Sequence, residues 1–570
     1  MNVQRLLPCL QWLREYRGAT FASDFSAGLI VTIMLVPQSL AYALVAGLPP
    51  ETGLYASILP LIAYAVFGTS RTLSVGPVAV ASLMTAAAIG SQTLLPPLEA
   101  ALWLALLCGA FLLLLGLLRL GFLANFLSHP VVSGFISASA LLIALGQMRH
   151  LLGVAGGGDT LPTLLRSLGA EFGHSSGLTL LLGGLTLLFL LCTRHWLAAL
   201  LRTAGLGAFA AGTITRVAPV AAVVITAWLA WYYRLDQHGV ALLGAIPSGL
   251  PALTLPRFSS EAIGTLLPPA ILIAVICYVE SIAVARTLAA RTRHKIDPDQ
   301  ELVALGACNV AAAMGGGFPV AGGFSRSAVS FDAGAMTPAA GLLAAIGMAL
   351  ATLYLGDALA WLPTATLAAT IIVAVLPLVD LAMLRDTWRY SRSDFAAVAL
   401  TITLTLFWGV ELGVSCGVGV SLLLHLYKTS RPHIAEIGEV AGTRHFRNVA
   451  RHQVVTHPAI LALRVDESLY FANASYIEDS ILQALRQREG IRHVVLMCSA
   501  VNAIDISALE VLEAINARLR QAQIGFHLSE VKGPVMDQLR RTDFLRHLNG
   551  RVFLSHHEAV SLLGGGQDRQ

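Results

Sequence analysis

Long apolar runs separated by short polar connectors fill most of the chain, and near residue 428 that pattern stops. The runs have the length of helices that cross a bilayer, about 20 residues, or fall somewhat short of it. They lie at 24–46, 51–68, 76–91, 98–118, 124–147, 177–193, 213–233, 262–288, 299–314, 324–335, 338–356, 361–379, 395–408 and 409–427. The periodicity is weakest at 205–233 and 315–340. The pattern predicts a polytopic α-helical membrane protein of fourteen spans. Beyond Lys428 the apolar runs shorten to strand length, as in Ala459–Val465, His493–Met497 and 524–529, with helical patterns at 475–488 and 507–522. Alternating strands and helices predict a small α/β domain without a span of its own. The expected division is an N-terminal segment at 1–23, a membrane domain at 24–430, the α/β domain at 431–560 and a tail at 561–570.

Two of the predicted spans are short and interrupted, and they occupy matching places, the third of each seven. One is Leu73-Ser74-Val75-Gly76-Pro77-Val78-Ala79-Val80. The other runs from Gly315 through Pro319 and Gly323 to Phe324-Ser325-Arg326-Ser327. Each sets Gly and Pro in an extended lead before a short helix rich in small residues. Paired broken helices at equivalent positions predict two inverted repeats of seven spans around a site near the membrane midplane.

Composition supports lipid as the main solvent. Charged residues make up 12% of the chain and hydrophobic residues 56%, where soluble domains carry about 25% charged residues. The net charge of +4 is small and its cations sit in short clusters, which argues against nucleic-acid binding. Those clusters set the orientation. Arg71, Arg119, Arg194, Arg202, Arg286, Arg291, Arg293, Lys295, Arg385, Arg389, Arg392, Lys428 and Arg431 all fall in alternate loops. Arg149 and Arg257 are the exceptions. With Arg5, Arg14 and Arg17 ahead of the first run, both termini are expected on the cytoplasmic side of the cell membrane. The seven cysteines show neither CxxC nor metal spacing, so no disulfide framework, metal or cofactor is expected.

The broken helices suggest the chemistry. An unpaired anion in hydrocarbon is costly, and a helix starting in mid-membrane offers it free N–H groups and a positive dipole end. Gly76, Pro77 and Val78 on one side and Gly323 and Phe324 on the other would frame one small site, the glycines allowing close backbone approach. Ser325 and Ser327 add hydroxyl donors, and Arg326, a guanidinium inside a membrane segment, adds a fixed positive field beside the anion. The alternative for the Gly-Pro segments is a kink in packed helices, and for Arg326 a side chain snorkelling to headgroups. Glu280 lies well inside the eighth run and is a candidate proton carrier, or a static partner of Arg326. Gln38 and Tyr42, one turn apart after Pro37, either line the same cavity or tie helices together. The chain holds no nucleophile–base constellation, Walker loop or dinucleotide fingerprint, so neither an enzyme nor an ATP-driven pump is expected.

With those residues placed, the sequence resembles the SulP family of anion transporters, known in animals as solute carrier family 26. The resemblance rests on Val36-Pro37-Gln38-Ser39-Leu40-Ala41-Tyr42-Ala43, Ala46-Gly47-Leu48-Pro49-Pro50, Gly53-Leu54-Tyr55, Gly68-Thr69-Ser70-Arg71, Val75-Gly76-Pro77-Val78-Ala79, Val279-Glu280-Ser281 and Phe324-Ser325-Arg326-Ser327-Ala328. The C-terminal part resembles a STAS domain, with Asn502-Ala503-Ile504-Asp505-Ile506-Ser507-Ala508-Leu509 as its loop-to-helix motif. There Ser507 reads as a helix N-cap, or as the serine that is phosphorylated in related antisigma-factor antagonists.

The resemblance implies spans 1–4 and 8–11 as a core domain, spans 5–7 and 12–14 as a gate domain, an elevator-like movement and a homodimer. It also implies a regulatory protein or nucleotide as possible STAS partners. Sodium-coupled bicarbonate relatives carry Asp and Thr where Glu280 and Val284 stand, so that sodium site looks incomplete. The Pro37-Gln38 pair is similar to sulfate permeases. Sulfate with proton symport is therefore the expected activity. Bicarbonate, chloride or dicarboxylate transport, anion exchange, and a membrane sensor acting through the STAS domain remain as alternatives.

Overall fold

The computed structural model describes residues 7–565 except 15, 127, 206, 248, 255, 257, 258 and 293; Arg5, Arg257 and Arg293 thus lie outside the described residues. The chain divides into two compact units, Met1–Ser421 and Leu422–Gln570.

In the first unit every predicted apolar run holds helix. Seven helices among the described residues are long and apolar enough to cross a membrane: Gly18–Val45, Pro97–Leu117, His129–Leu152, Gly177–Thr203, Ser260–Arg291, Thr364–Tyr390 and Val410–Ser430. This is a multi-pass membrane protein. Helix length alone accounts for seven of the expected fourteen, the remaining runs forming shorter or broken helices among the described residues. The run at 51–68 is broken into Glu51–Tyr55 and Leu59–Phe67. Ala79–Gly90 and Phe324–Asp332 have 12 and 9 residues. The helix Leu161–Glu171 and the last part of Thr364–Tyr390, Leu381–Tyr390, lie where the hydropathy pattern suggested connectors. Their alternation of apolar and polar residues is amphipathic, and a scan for unbroken apolar runs passes over it.

Helices far apart in sequence pack closely through small residues. Pro97–Leu117 lies along Pro298–Met314. A Cβ on Gly109 would stand 2.7 Å from the Val310 nitrogen, and one on Gly306 2.8 Å from the Leu113 nitrogen. Gly18–Val45 meets Ala339–Tyr354 in the same manner, with Gly28 against Ala340 O and Gly347 against Thr32. Such close approach replaces the hydrophobic drive that lipid removes.

Two buried carboxylates, neither singled out in the sequence, clasp loops of the opposite half. Glu301 accepts from Thr69 N at 2.8 Å, Thr69 Oγ1 at 2.5 Å, Ser70 N at 3.2 Å and Tyr64 OH at 3.0 Å. Asp24 accepts from Met336 N at 2.7 Å and Thr337 Oγ1 at 2.5 Å. Glu301→Ala would leave several buried donors unpaired, each costing about 1–3 kcal/mol. We expect a clear fall in the thermal unfolding temperature of the detergent-solubilised protein, with Glu301→Gln falling less. An unchanged melting curve would show that the clasp is dispensable.

The second unit is a six-stranded sheet of order β4-β3-β5-β6-β7-β8. Here β1 (Val75–Gly76) and β2 (Ala321–Gly322) are strands of the first unit. The others are β3 (Ile434–Glu439), β4 (Phe446–Asn448), β5 (Ile460–Val465), β6 (His493–Met497), β7 (Gly525–Ser529) and β8 (Val552–Phe553). Strands β5 to β8 run parallel, while β3 pairs antiparallel with both β4 and β5. Leu461, Leu463, Val494, Leu496, Phe526 and Leu528 form a core with the helices Ala474–Arg486 and Ile506–Gln521. The helix His556–Gly564 places Ala559 beside Ile460, Val495 and Phe553 in a separate cluster. One expectation is corrected here: the cap of Ile506–Gln521 is Asp505, not Ser507. Asp505 has extended backbone angles (φ −84°, ψ 173°), and its Oδ1 accepts from Ala508 N at 2.8 Å while Oδ2 accepts from Phe471 N at 2.8 Å. Ser507 therefore sits inside the first turn.

Candidate functional site

The two broken segments meet. Strand β1 pairs antiparallel with β2, Val75 opposite Gly322 and Gly76 opposite Ala321. Each strand leads into a short helix, Ala79–Gly90 behind Val78 and Phe324–Asp332 behind Gly323. Neither helix has a side-chain cap. Their first N–H groups are therefore not closed off by the chain's own side chains.

Buried side chains hold this ladder from three sides. Ser281 Oγ accepts from Gly322 N at 2.8 Å and donates to Cys277 O at 2.6 Å. Asn309 Oδ1 accepts from Val320 N at 3.0 Å, while its Nδ2 donates to Val320 O at 3.0 Å. Ser327 Oγ accepts from Ser74 N at 3.0 Å and donates to Gly323 O at 2.7 Å. The Ser327 hydroxyl, expected to face an anion, is thus taken up in joining the two halves. Nothing in the hydropathy pattern marks Asn309 or Ser281, because each side chain answers a backbone strand folded against it.

Arg326 is only 2% exposed. Its Nη1 donates to Pro77 O at 2.5 Å. A Cβ on Gly76 would lie 3.3 Å from Nη2, and one on Gly323 would lie 3.2 Å from it. The guanidinium therefore fits closely between the two glycine backbones, where a side chain at either position would press on it. Its Nε and Nη2, together with Ser74 Oγ and Glu280 Oε2, are buried without a hydrogen-bond partner among the described residues. Buried polar atoms are normally paired, so this group marks a place for water or ligand. Tyr42, Glu280 and Arg326 are close enough to interact electrostatically.

On the other side of the Phe324–Asp332 helix a cavity of about 450 Å³ opens, lined by Pro37, Gln38, Phe324 and Ser325. Thr193, Arg194, Thr215 and Thr370 line it too. Gln38, Phe324 and Ser325 are thereby brought together, while Tyr42 is buried one turn along from Gln38. Arg194 was assigned to a loop by its sequence context. It stands instead on the π-helical turn Thr193–Leu197, and it is the charged residue among the described residues that line the cavity. Its Nη1 donates to Val373 O at 2.7 Å. The signal that could have found it was a lone Arg directly following an apolar run; π turns recur at functional sites.

Gly76, Pro77 and Val78 are not among the described residues lining this cavity, which one of the two uncapped half-helices, Phe324–Asp332, borders. Apolar helices of crossing length, paired strand breaks and that cavity are the architecture of a membrane transporter. The comparisons with known proteins give the family. Residues 21–401 match the sulfate permease family and residues 451–559 the STAS domain. The chain belongs to the sulfate permease (SulP) family, with a C-terminal STAS domain. It is 35% identical to the chloroplastic sulfate transporter 4.1 of Arabidopsis thaliana, over 98% of this chain and 83% of that protein. It is 30% identical to high affinity sulfate transporter 1 of Stylosanthes hamata, over 99% of this chain and 87% of that protein. In fold it is similar to the murine solute carrier 26 family member A9 anion transporter in its inward-facing state. The TM-score is 0.89 and the identity 22%, over 99% of this chain and 95% of that one. It is also similar to the transmembrane domain of a cyanobacterium bicarbonate transporter, with a TM-score of 0.59 and 21% identity, over 71% of this chain and 99% of that one.

Proposed function

We propose that this protein carries sulfate, or a similar small oxyanion, across a cell membrane by proton-coupled secondary transport. The observation that carries the reading is the β1–β2 ladder, which brings the starts of two uncapped half-helices together, one of them, Phe324–Asp332, lining a cavity with Gln38 and Ser325. The anion would sit at the start of the Phe324–Asp332 helix, taking hydrogen bonds from backbone N–H groups and Ser325. Arg326 supplies positive field from behind the backbone. Glu280 takes the coupling proton and neutralises charge that would otherwise resist movement. Helices of the 18–117 and 260–354 segments act as a core that travels, elevator-like, against a gate formed by the remaining spans. The protein works as a homodimer with fourteen spans and both termini in the cytoplasm, and the STAS domain, by a regulatory partner or by phosphorylation at Ser507, adjusts the rate. The sulfate transporter names of its relatives favour sulfate over bicarbonate, chloride or a dicarboxylate.

Arg194 is the cation that the described lining of this cavity offers to a dianion. Arg194→Gln should raise the KM for sulfate about tenfold or more, the worth of one charged hydrogen bond, and leave kcat less affected. An unchanged KM would remove Arg194 from the anion path.

The reading as a whole is tested in liposomes. Radiolabelled sulfate should accumulate with an inward proton gradient, with or without sodium, while bicarbonate and a dicarboxylate do not. Entry of another anion in place of sulfate would keep the site and overturn the substrate. No entry of any anion would favour a sensor.

A further inference from the structure

The STAS domain carries a basic cleft that no part of the transport reading uses. It has a volume of about 330 Å³ and lies where the β3–β4 hairpin meets the end of β5. Three guanidinium groups line it, those of Arg447, Arg451 and Arg464, and Asp466 supplies the one carboxylate. His433, His452 and Asn448 complete the lining.

The carboxylate is already neutralised. Arg464 Nε and Nη2 reach Asp466 Oδ1 and Oδ2 at 2.5 and 3.0 Å, and His433 Nδ1 lies 2.8 Å from Oδ2. Burial opposes ionisation of Asp466, but these hydrogen bonds outweigh it and hold the carboxyl below its usual range. Arg464 and Asp466 thus cancel, and the charge left over is that of Arg447 and Arg451.

Arg447 Nη1 donates to Phe446 O at 3.3 Å, and Arg451 follows from a hydrogen-bonded turn. Asn448 O accepts from both Arg451 N and His452 N at 3.1 Å, and Asn448 Oδ1 accepts from Ala450 N at 2.8 Å. This turn aims Arg451 and His452 at the cleft and leaves the Asn448 amide N–H₂ as a further donor. Two unneutralised guanidiniums beside an amide N–H₂ form a donor set, to which each neutral imidazole can add one N–H. At about 30 Å³ per water, the cleft admits one oxyanion group with several waters or a small organic appendage.

We propose that this cleft binds a tetrahedral oxyanion group, either free sulfate or phosphate or the phosphate of a small monoester, held by Arg447, Arg451 and the Asn448 amide. The proposal is independent of which ion the membrane unit carries.

Hydrogen exchange on the full-length protein in nanodiscs tests it. Sulfate, inorganic phosphate and AMP are each compared with chloride at matched ionic strength. At least one should slow exchange over residues 445–455, and Arg447→Gln/Arg451→Gln should abolish that protection. Exchange of β6 in the double variant serves as the check that the sheet is intact. Protection by sulfate or phosphate identifies a free-ion site; protection by AMP alone identifies a monoester site. The proposal is overturned if no oxyanion differs from chloride at 445–455, or if protection persists in the double variant. Ligand effects at residues 320–330 report the membrane site separately, so failure of one reading leaves the other standing.

Discussion

Arg326→Ala is expected to abolish concentrative sulfate uptake, and Arg326→Lys to restore only part of it. The guanidinium is buried between the Gly76 and Gly323 backbones and ties Pro77 O to the opposite half. Alanine removes both the positive field behind the helix start and the tie between the broken segments. The lost charged hydrogen bond to Pro77 O costs about 1.5–3 kcal/mol of the tie between the broken segments. Loss of the field behind the helix start lowers anion affinity besides, so the sulfate KM should rise. Lysine keeps a positive charge as a compact point, without the planar fork that spans two backbones. The variants should be compared with wild type by size-exclusion profile and by sulfate KM in liposomes. Normal KM and rate in a well-folded Arg326→Ala protein would remove the arginine from the anion site.

The second large effect is expected from Glu280→Gln, which should uncouple uptake from the proton gradient while leaving sulfate exchange between the two sides intact. Glu280 Oε2 is buried and has no hydrogen-bond partner, and the side chain interacts electrostatically with Arg326. A carboxylate in that position can take and release a proton as the site changes sides, whereas an amide keeps its shape and cannot titrate. One coupled proton is worth about 1.4 kcal/mol per pH unit, so wild-type accumulation should rise by about tenfold for each unit of inward gradient. The glutamine variant should show a flat response over the same gradient. A wild-type slope in that variant would assign the proton to another group and leave Glu280 as a static partner of Arg326.

Both predictions depend on details that only part of the chain advertises. The membrane-crossing segments were legible, because an apolar run of helical length announces its solvent without reference to anything else in the chain. The breaks at Gly76-Pro77 and at Gly315–Gly323 were legible for the same reason: Gly and Pro act on their own backbone. Fourteen runs did not become fourteen long helices, since 51–68 is divided and the half-helices are short. Strands β3, β4 and β8 escaped notice because they are short or polar, and they form by pairing with neighbours. The cap at Asp505 was mistaken by two positions, a register that depends on where the carboxylate finds Ala508 N and Phe471 N.

What the sequence determined by itself is therefore local: which segments partition into lipid, where their helices break, and that donors and an arginine cluster at the breaks. Which of those donors face a cavity was decided by tertiary structure. Arg326 turned inward between two glycine strands, Ser327 was drawn to Ser74, 253 residues away in sequence, and Arg194 took the cavity position instead. Glu301 and Asp24, silent in the pattern, became clasps because loops from the other half delivered N–H groups to them. Hydropathy and helix-breaking act over neighbouring residues, whereas a buried polar atom's partner is set by the packing of elements hundreds of residues apart.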